Sequence, residues 1–188
     1  MVFYDLEYTS WKGYRESGWD LPGKYMEIVQ IGAVRVDLTD NWLEMDAFSI
    51  FVKPVRNPLL SDYFIDLTGI TQNQISEQGR DFPEALASFM EYLSHDDAQM
   101  ASHGPDHEVV ALNCQLNGIP VPERLEGAIN IRPWVMSKIN LAETKYTSGE
   151  LPQVLGLAHD GKAHDALGDA RAVAAVYQHL NEQGISTR

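Results

Sequence analysis

The segment from Val2 to Tyr8 reads "VFYDLEY": aromatic and branched residues that favour an extended chain, interrupted by two acids. Side chains two apart on a strand share a face, so Asp5 and Glu7 project together. On a surface strand they would simply be the wet face, the commoner role for Asp-x-Glu taken alone. On a central strand, flanked as they are by Val2, Phe3 and Leu6, two like charges side by side need a cation or a proton to stay there. The rest of the chain has to decide.

Working outward, residues 9–24, "TSWKGYRESGWDLPGK", have no periodicity and are long for a connection inside a compact domain. They carry Lys12, Arg15 and Lys24, and read equally as a basic flap or a solvated loop. "EIVQIGAVRVD" (27–37) is a buried strand, and "EMDAFSIFVKP" (44–54) its hairpin partner across "LTDNW". "NPLLSDYFIDLTGIT" (57–71) is turn-rich with a short helical piece. In "DFPEALASFMEYLS" (81–94), Phe82, Leu86, Phe89 and Leu93 form a helical stripe that Pro83 can begin. Then follow a strand in "AQMAS", a helix in "DHEVVALNCQLNG" ended by Gly118, and a strand in "GAINI". Short helices in "RPWVMSKI" and "SGELPQVLGLA" precede a last helix from about Asp165 to Leu180. That order predicts an α/β fold, a mixed sheet covered on both faces, in one domain spanning 1–188.

Two further places carry chemistry. In "SHGPDHEVV" a strand end turns through Gly104-Pro105 into a helix whose first turn holds Asp106. A helix cap is the ordinary role for Asp there, and His103 and His107 read as loop residues without metal-ligand spacing. In "AHDALGDA" (163–170), Asp165 falls at the N-cap of the last helix and Asp169 one turn inside, bordered by small residues. His164 sits just outside. A fixed carboxylate beside an imidazole suits a site where one residue holds a metal and the other takes a proton from water.

Composition narrows the field. The 188 residues carry 27 Asp and Glu against 14 Lys and Arg, a formal charge of −13, which disfavours coating long nucleic acid but suits oxygen-ligated divalent cations. Neither a dinucleotide fingerprint nor a P-loop spacing occurs. No apolar run is long enough to cross a bilayer, the N-terminus lacks the pattern of a signal peptide, and the one cysteine, Cys114, reads as a helix-face residue in a reducing cytoplasm.

In order along the chain, Asp-x-Glu on the first strand, Asp106 after a Gly turn, and His164-x-x-x-x-Asp169 entering the last helix resemble the DEDDh family of 3′-to-5′ exonucleases. The look is nearest the branch of histone-mRNA and sporulation-pathway-inhibitor exonucleases, where a cysteine follows the middle motif as Cys114 follows Asp106. The resemblance implies a ribonuclease-H-like fold with a mixed five-stranded sheet. It implies that Asp5, Glu7, Asp106 and Asp169 hold two divalent cations, Mg²⁺ or Mn²⁺, with His164 as general base. The substrate would be the 3′ end of single-stranded RNA or DNA, touched by Leu6, Tyr8, Thr9 and the "LTGI" residues Leu67, Thr68, Gly69 and Ile70. Phe3, Tyr4, Tyr8 and Trp11 are candidate stacking residues beside the first motif, Phe3 and Tyr4 equally core candidates. Glu7-Tyr8-Thr9 departs from the Glu-Thr or Glu-Met of many relatives. Two other readings stay open: an oligoribonuclease-like enzyme finishing very short RNAs, and an inactive nucleic-acid-binding regulatory module.

Overall fold

The computed structural model describes residues 1–14, 21–139, 146–158 and 163–186, the side chains of 184–186 aside. Strands β1 (Val2–Tyr8), β2 (Ile28–Asp37) and β3 (Leu43–Phe51) form an antiparallel meander, followed by α1 (Asp62–Thr68), α2 (Gln72–Gln78) and α3 (Phe82–Leu93). Strand β4 (Met100–Ser102), α4 (Asp106–Asn117), β5 (Ile129–Asn130), α5 (Arg132–Ile139), the short α6 (Leu151–Val154) and the long α7 (Ala166–Ser186) complete the order. The five strands pair as β3-β2-β1-β4-β5, with β4 parallel to β1 and β5 parallel to β4. This is the mixed five-stranded sheet expected, and β1 lies at its centre.

Alternation along β1 sorts the core. Val2, Tyr4 and Leu6 face one side, where Phe82, Leu86, Phe89 and Leu93 of α3 bury their stripe together with Val110 and Cys114 of α4. Phe3 faces the other side, among Val34, Ala170, Val173 and Leu180. Asp5 and Glu7 share Phe3's parity and therefore the face covered by α7. Tyr177 anchors that helix, its ring meeting Phe3, Trp42 and Trp134 at 5.4, 5.8 and 4.9 Å. Phe3, fully buried, contributes on the order of 2 kcal/mol or more, and the three half-buried rings add less each.

The first turn of α7 sits on the backbone of β2. A Cβ at Gly32 would come within 2.1 Å of the Leu167 nitrogen, so only glycine admits this approach. Gly118 ends α4 in the left-handed conformation at φ 67°, as its position predicts.

Four details depart from expectation. Phe3 and Tyr4 are fully buried core residues and cannot stack on a base. His107 is the second residue of α4 rather than a loop residue. The short helix α2 was not legible, because its hydrophobic stripe amounts to Ile75; a reciprocal cap between Thr71 and Gln74 starts it. Finally, α7 runs past Leu180 to Ser186.

Candidate nuclease site

The parallel strands β1, β4 and β5 end on the same edge of the sheet, and the chemistry-bearing residues collect there. Asp5 and Glu7 stand on β1, opposite Gly32 and Gln30 of β2. Asp106 opens α4 directly after the β4 turn. Asp169 comes from the first turn of α7, which Gln30 holds in place. The Gln30 amide donates to Asp165 Oδ1 (2.9 Å) and its carbonyl oxygen accepts the Ala166 N–H (3.1 Å). Asp165 in turn accepts the Gly168 N–H at 3.0 Å, which makes it the N-cap expected of it.

Asp5, Glu7, Asp106, Asp169 and His164 line one cavity of about 430 Å³. All four carboxylates are nine-tenths buried or more. Burial, followed by the charges of Asp106, Asp169 and Glu7, pushes Asp5 far above the usual carboxylate range. Burial and then Asp169 do the same to Glu7. Asp106 rises to about 6 and Asp169 to about 7, each mainly through burial. The Ser148 hydroxyl lies 3.0 Å from Asp5 Oδ1 and 3.2 Å from Asp169 Oδ2, and the latter oxygen also accepts the His164 N–H at 3.3 Å. Asp169 Oδ1 is buried with no hydrogen-bond partner. His164 adopts φ 64°, a left-handed conformation that bends the chain immediately before α7.

These donors fit a divalent cation. Ligand atoms of Glu7, His164 and Asp169 all lie within 4.8 Å of one another. Four mutually repelling carboxylates and an orphaned carboxylate oxygen describe a site short of positive charge, and oxygen-rich sets select hard cations.

The residues expected to touch substrate divide. Leu6, Tyr8 and Leu67 line the cavity. Thr9 does not: it is buried, its hydroxyl donating to the Tyr25 carbonyl at 2.6 Å and accepting the Glu27 N–H at 3.0 Å. Gly69 is the exposed C-cap of α1, Thr68 is buried with its hydroxyl on the Phe64 carbonyl, and Ile70 packs with Val29, Phe64 and Ile75. None of those three lines the cavity. In the loop after β1, Lys24 places its ammonium 4.4 Å from the Trp11 ring centre, while Arg15 lies outside the described residues. Reading by motif missed Ser148 and Gln30. Ser148 is hidden in a Thr147-x-x-Glu150 capping box that reads only as a helix start, and Gln30 in a strand that reads as uniformly buried.

The exonuclease (RNase_T) family profile matches residues 2–177. Among curated proteins, "3'-5' exoribonuclease 1" of Rattus norvegicus is 28% identical over 178 residues, covering 89% of this chain and 50% of that protein. The human protein of the same name is 28% identical over 172 residues, covering 86% and 48%. "3'-5' exonuclease Snipper" of Drosophila melanogaster is 26% identical over 196 residues, covering 94% and 67%. This chain thus spans about half the length of the first two. Among solved structures, the nuclease domain of 3′hExo, a DEDDh family member bound to rAMP, superposes with a TM-score of 0.83 at 24% identity, covering 97% of this chain and 92% of that one. Cell-death related nuclease 4 does so with a TM-score of 0.78 at 23%, covering 97% and 64%. The sheet order is therefore that of the ribonuclease-H-like nucleases, and this chain belongs to the RNase_T exonuclease family.

Proposed function

We propose that residues 1–188 act as one metal-dependent 3′-to-5′ exonuclease domain that hydrolyses single-stranded nucleic acid from its 3′ end. The observation that carries this reading is the convergence of Asp5, Glu7, Asp106 and Asp169, from three separated segments, on one cavity that also holds His164. The kinship with exoribonucleases supports it. Asp5, Glu7, Asp106 and Asp169 would hold a pair of Mg²⁺ or Mn²⁺ ions. When bound, such ions neutralise charge on the phosphate and on the departing 3′ oxygen.

The chain's own groups do the rest. His164 is placed to take the proton of the attacking water, since imidazole is the side chain whose ordinary titration lies nearest neutrality. Asp165 and Gln30 hold the start of α7, so that Asp169 meets the β1 acids without rearrangement. Ser148 bridges Asp5 and Asp169, its hydroxyl within hydrogen-bond distance of both. Tyr8 and Leu67 offer surface to a terminal base, Leu6 beside them being a buried core residue. With a formal charge of −13, the chain grips a few nucleotides near the cavity rather than a long strand. A single buried cysteine suits the reducing cytoplasm.

The test is a 5′-labelled single strand incubated with Mg²⁺ or Mn²⁺. Stepwise shortening from the 3′ end, stopped by chelator, is expected. Internal cuts at the outset, or no cleavage with either ion, would overturn the reading.

A further inference from the structure

The cavity has a second polar wall that the acids do not account for. Arg132 is the one Lys or Arg among the described residues that line it. It begins α5 directly after β5, its backbone N–H bonded to Asn130 Oδ1 at 3.0 Å. Strands β1, β4 and β5 are consecutive neighbours in the sheet, so the end of β5 lies two strand spacings, about 10 Å, from β1. Between them, at the end of β4, sits His103. It is 7% exposed, and its Nε2 is buried without a hydrogen-bond partner although the residue lines the cavity. An unmade hydrogen bond at such a site costs about 1–3 kcal/mol, which a ligand hydroxyl reaching Nε2 through a small shift of the ring would recover. Burial, and then the nearby Arg132 charge, pull the His103 imidazole down to about 4, so it is neutral at physiological pH and suited to a neutral hydroxyl.

We propose that Arg132 and His103 form a subsite for one ribose-phosphate unit beyond the scissile bond, Arg132 taking the adjacent phosphodiester and His103 Nε2 the ribose 2′-hydroxyl. The proposal rests on the exonuclease reading and deepens it. The acids and their cations serve the scissile phosphate. Arg132, on the cavity wall built from the neighbouring strands, serves the next phosphate and brings positive charge to an otherwise acidic site. The 2′-hydroxyl both donates and accepts, so either tautomer of His103 can meet it.

A dinucleotide carries only the scissile phosphate, and a trinucleotide adds the neighbour. For the wild-type chain with Mg²⁺, KM should fall about tenfold from ribodinucleotide to ribotrinucleotide, the scale of one charge-assisted hydrogen bond. In R132Q that gain should collapse, and R132K should restore part of it. A trinucleotide whose non-scissile phosphate is a neutral methylphosphonate should bind the wild-type chain like the dinucleotide, a control that alters no residue. Replacing the 2′-hydroxyl by hydrogen on the middle nucleotide should raise the wild-type KM about fivefold and leave that of H103L where it was. Equal wild-type KM for the two lengths, or a full gain retained by R132Q, overturns the subsite while leaving the exonuclease reading intact. No cleavage of either oligonucleotide overturns both. A wild-type KM indifferent to the 2′-hydroxyl overturns the part given to His103.

Discussion

Replacing Asp169 by Asn should make the metal-free chain more stable at pH 8, although it removes a proposed ligand. Asp169 rises from its ordinary 3.8 to about 7 in the folded chain, mainly through burial. A rise of that size is a penalty of about 4 kcal/mol on the ionised form. Between pH 4 and 7 the folded chain therefore holds a proton that the unfolded chain has released. Stability contributed by this group is complete below about pH 4 and is lost as pH rises through about 7. Asn does not ionise, so the variant escapes the loss. Its single oxygen can still accept from Ser148 and from the His164 N–H, and its amide can face the Glu7 carboxylate.

The ceiling on the gain is about 4 kcal/mol, and repacking of the amide leaves about 2. For a chain of this size that is a rise in melting temperature of about 4–8 °C. The assay is thermal unfolding followed by circular dichroism, in chelator, at pH 8 and at pH 4.5. The variant should melt above the wild type at pH 8 and slightly below it at pH 4.5, where most of the ionisation penalty is gone and the repacking cost remains. Adding Mg²⁺ or Mn²⁺ at pH 8 should reverse the order, because the wild type gains binding energy that the variant forgoes. A variant melting at or below the wild type at pH 8 in chelator, or one with the same advantage at both pH values, would refute the argument that buried charge is the dominant strain here.

Four variants at three other residues separate the parts of the site. H164A should lose turnover by about a hundredfold or more while keeping the cation-induced rise in melting temperature, and a variant at full rate removes His164 as the base. G32A places a Cβ 2.1 Å from the Leu167 nitrogen, so α7 must shift, with about 2–4 kcal/mol lost in denaturant unfolding and activity lost with it; unchanged unfolding would mean that the approach of α7 to β2 is slack. Q30L strands the Ala166 N–H and one oxygen of Asp165, and should lower stability by about 1–3 kcal/mol and weaken cation binding measured calorimetrically. Q30E sets a carboxylate against Asp165 and should recover toward wild-type stability as pH falls below about 5, whereas a pH-independent loss would assign the effect to packing alone.

Much of this was legible in the sequence, and what was not has a physical reason. Strand β1 declares itself through aromatic and branched residues, and α3 through a stripe at helical spacing, because a half-buried element must repeat its pattern in the one-dimensional chain. The acids at 5, 7 and 106 each read alone as a wet strand face or a helix cap, and only the order of all four along the chain, resembling the DEDDh pattern, singles them out. Ser148 could not: a serine three residues before a leucine looks like a helix start, and only the fold brings it against two carboxylates 143 and 21 positions away. Gln30 and Gly32 sit inside a run of buried strand residues, and their role depends on the helix that comes to rest on them more than 130 residues later. Of "LTGI", Leu67 lines the cavity, while Ile70 lies off it for the opposite reason. Ile70 is apolar enough to serve a base or a core equally well, and the small cluster with Val29, Phe64 and Ile75 claims it.

The same contrast explains how the chain tolerates four buried carboxylates at once. Each resists ionisation, and alone any one of them would push its element toward water. They are held by groups that have no charge to lose: Phe3, Val173 and the rings around Tyr177 fix α7 on the sheet, Gly32 lets it come close, and Gln30 and Asp165 fix its first turn. The apolar packing is continuous from the middle of α7 to the edge of the cavity, so the repulsion cannot be relieved by tilting the helix without opening that core. On the proposed reading, the site is strained in the metal-free chain and bound cations would relax it. Its affinity for them should come from this stored repulsion as much as from ligand number.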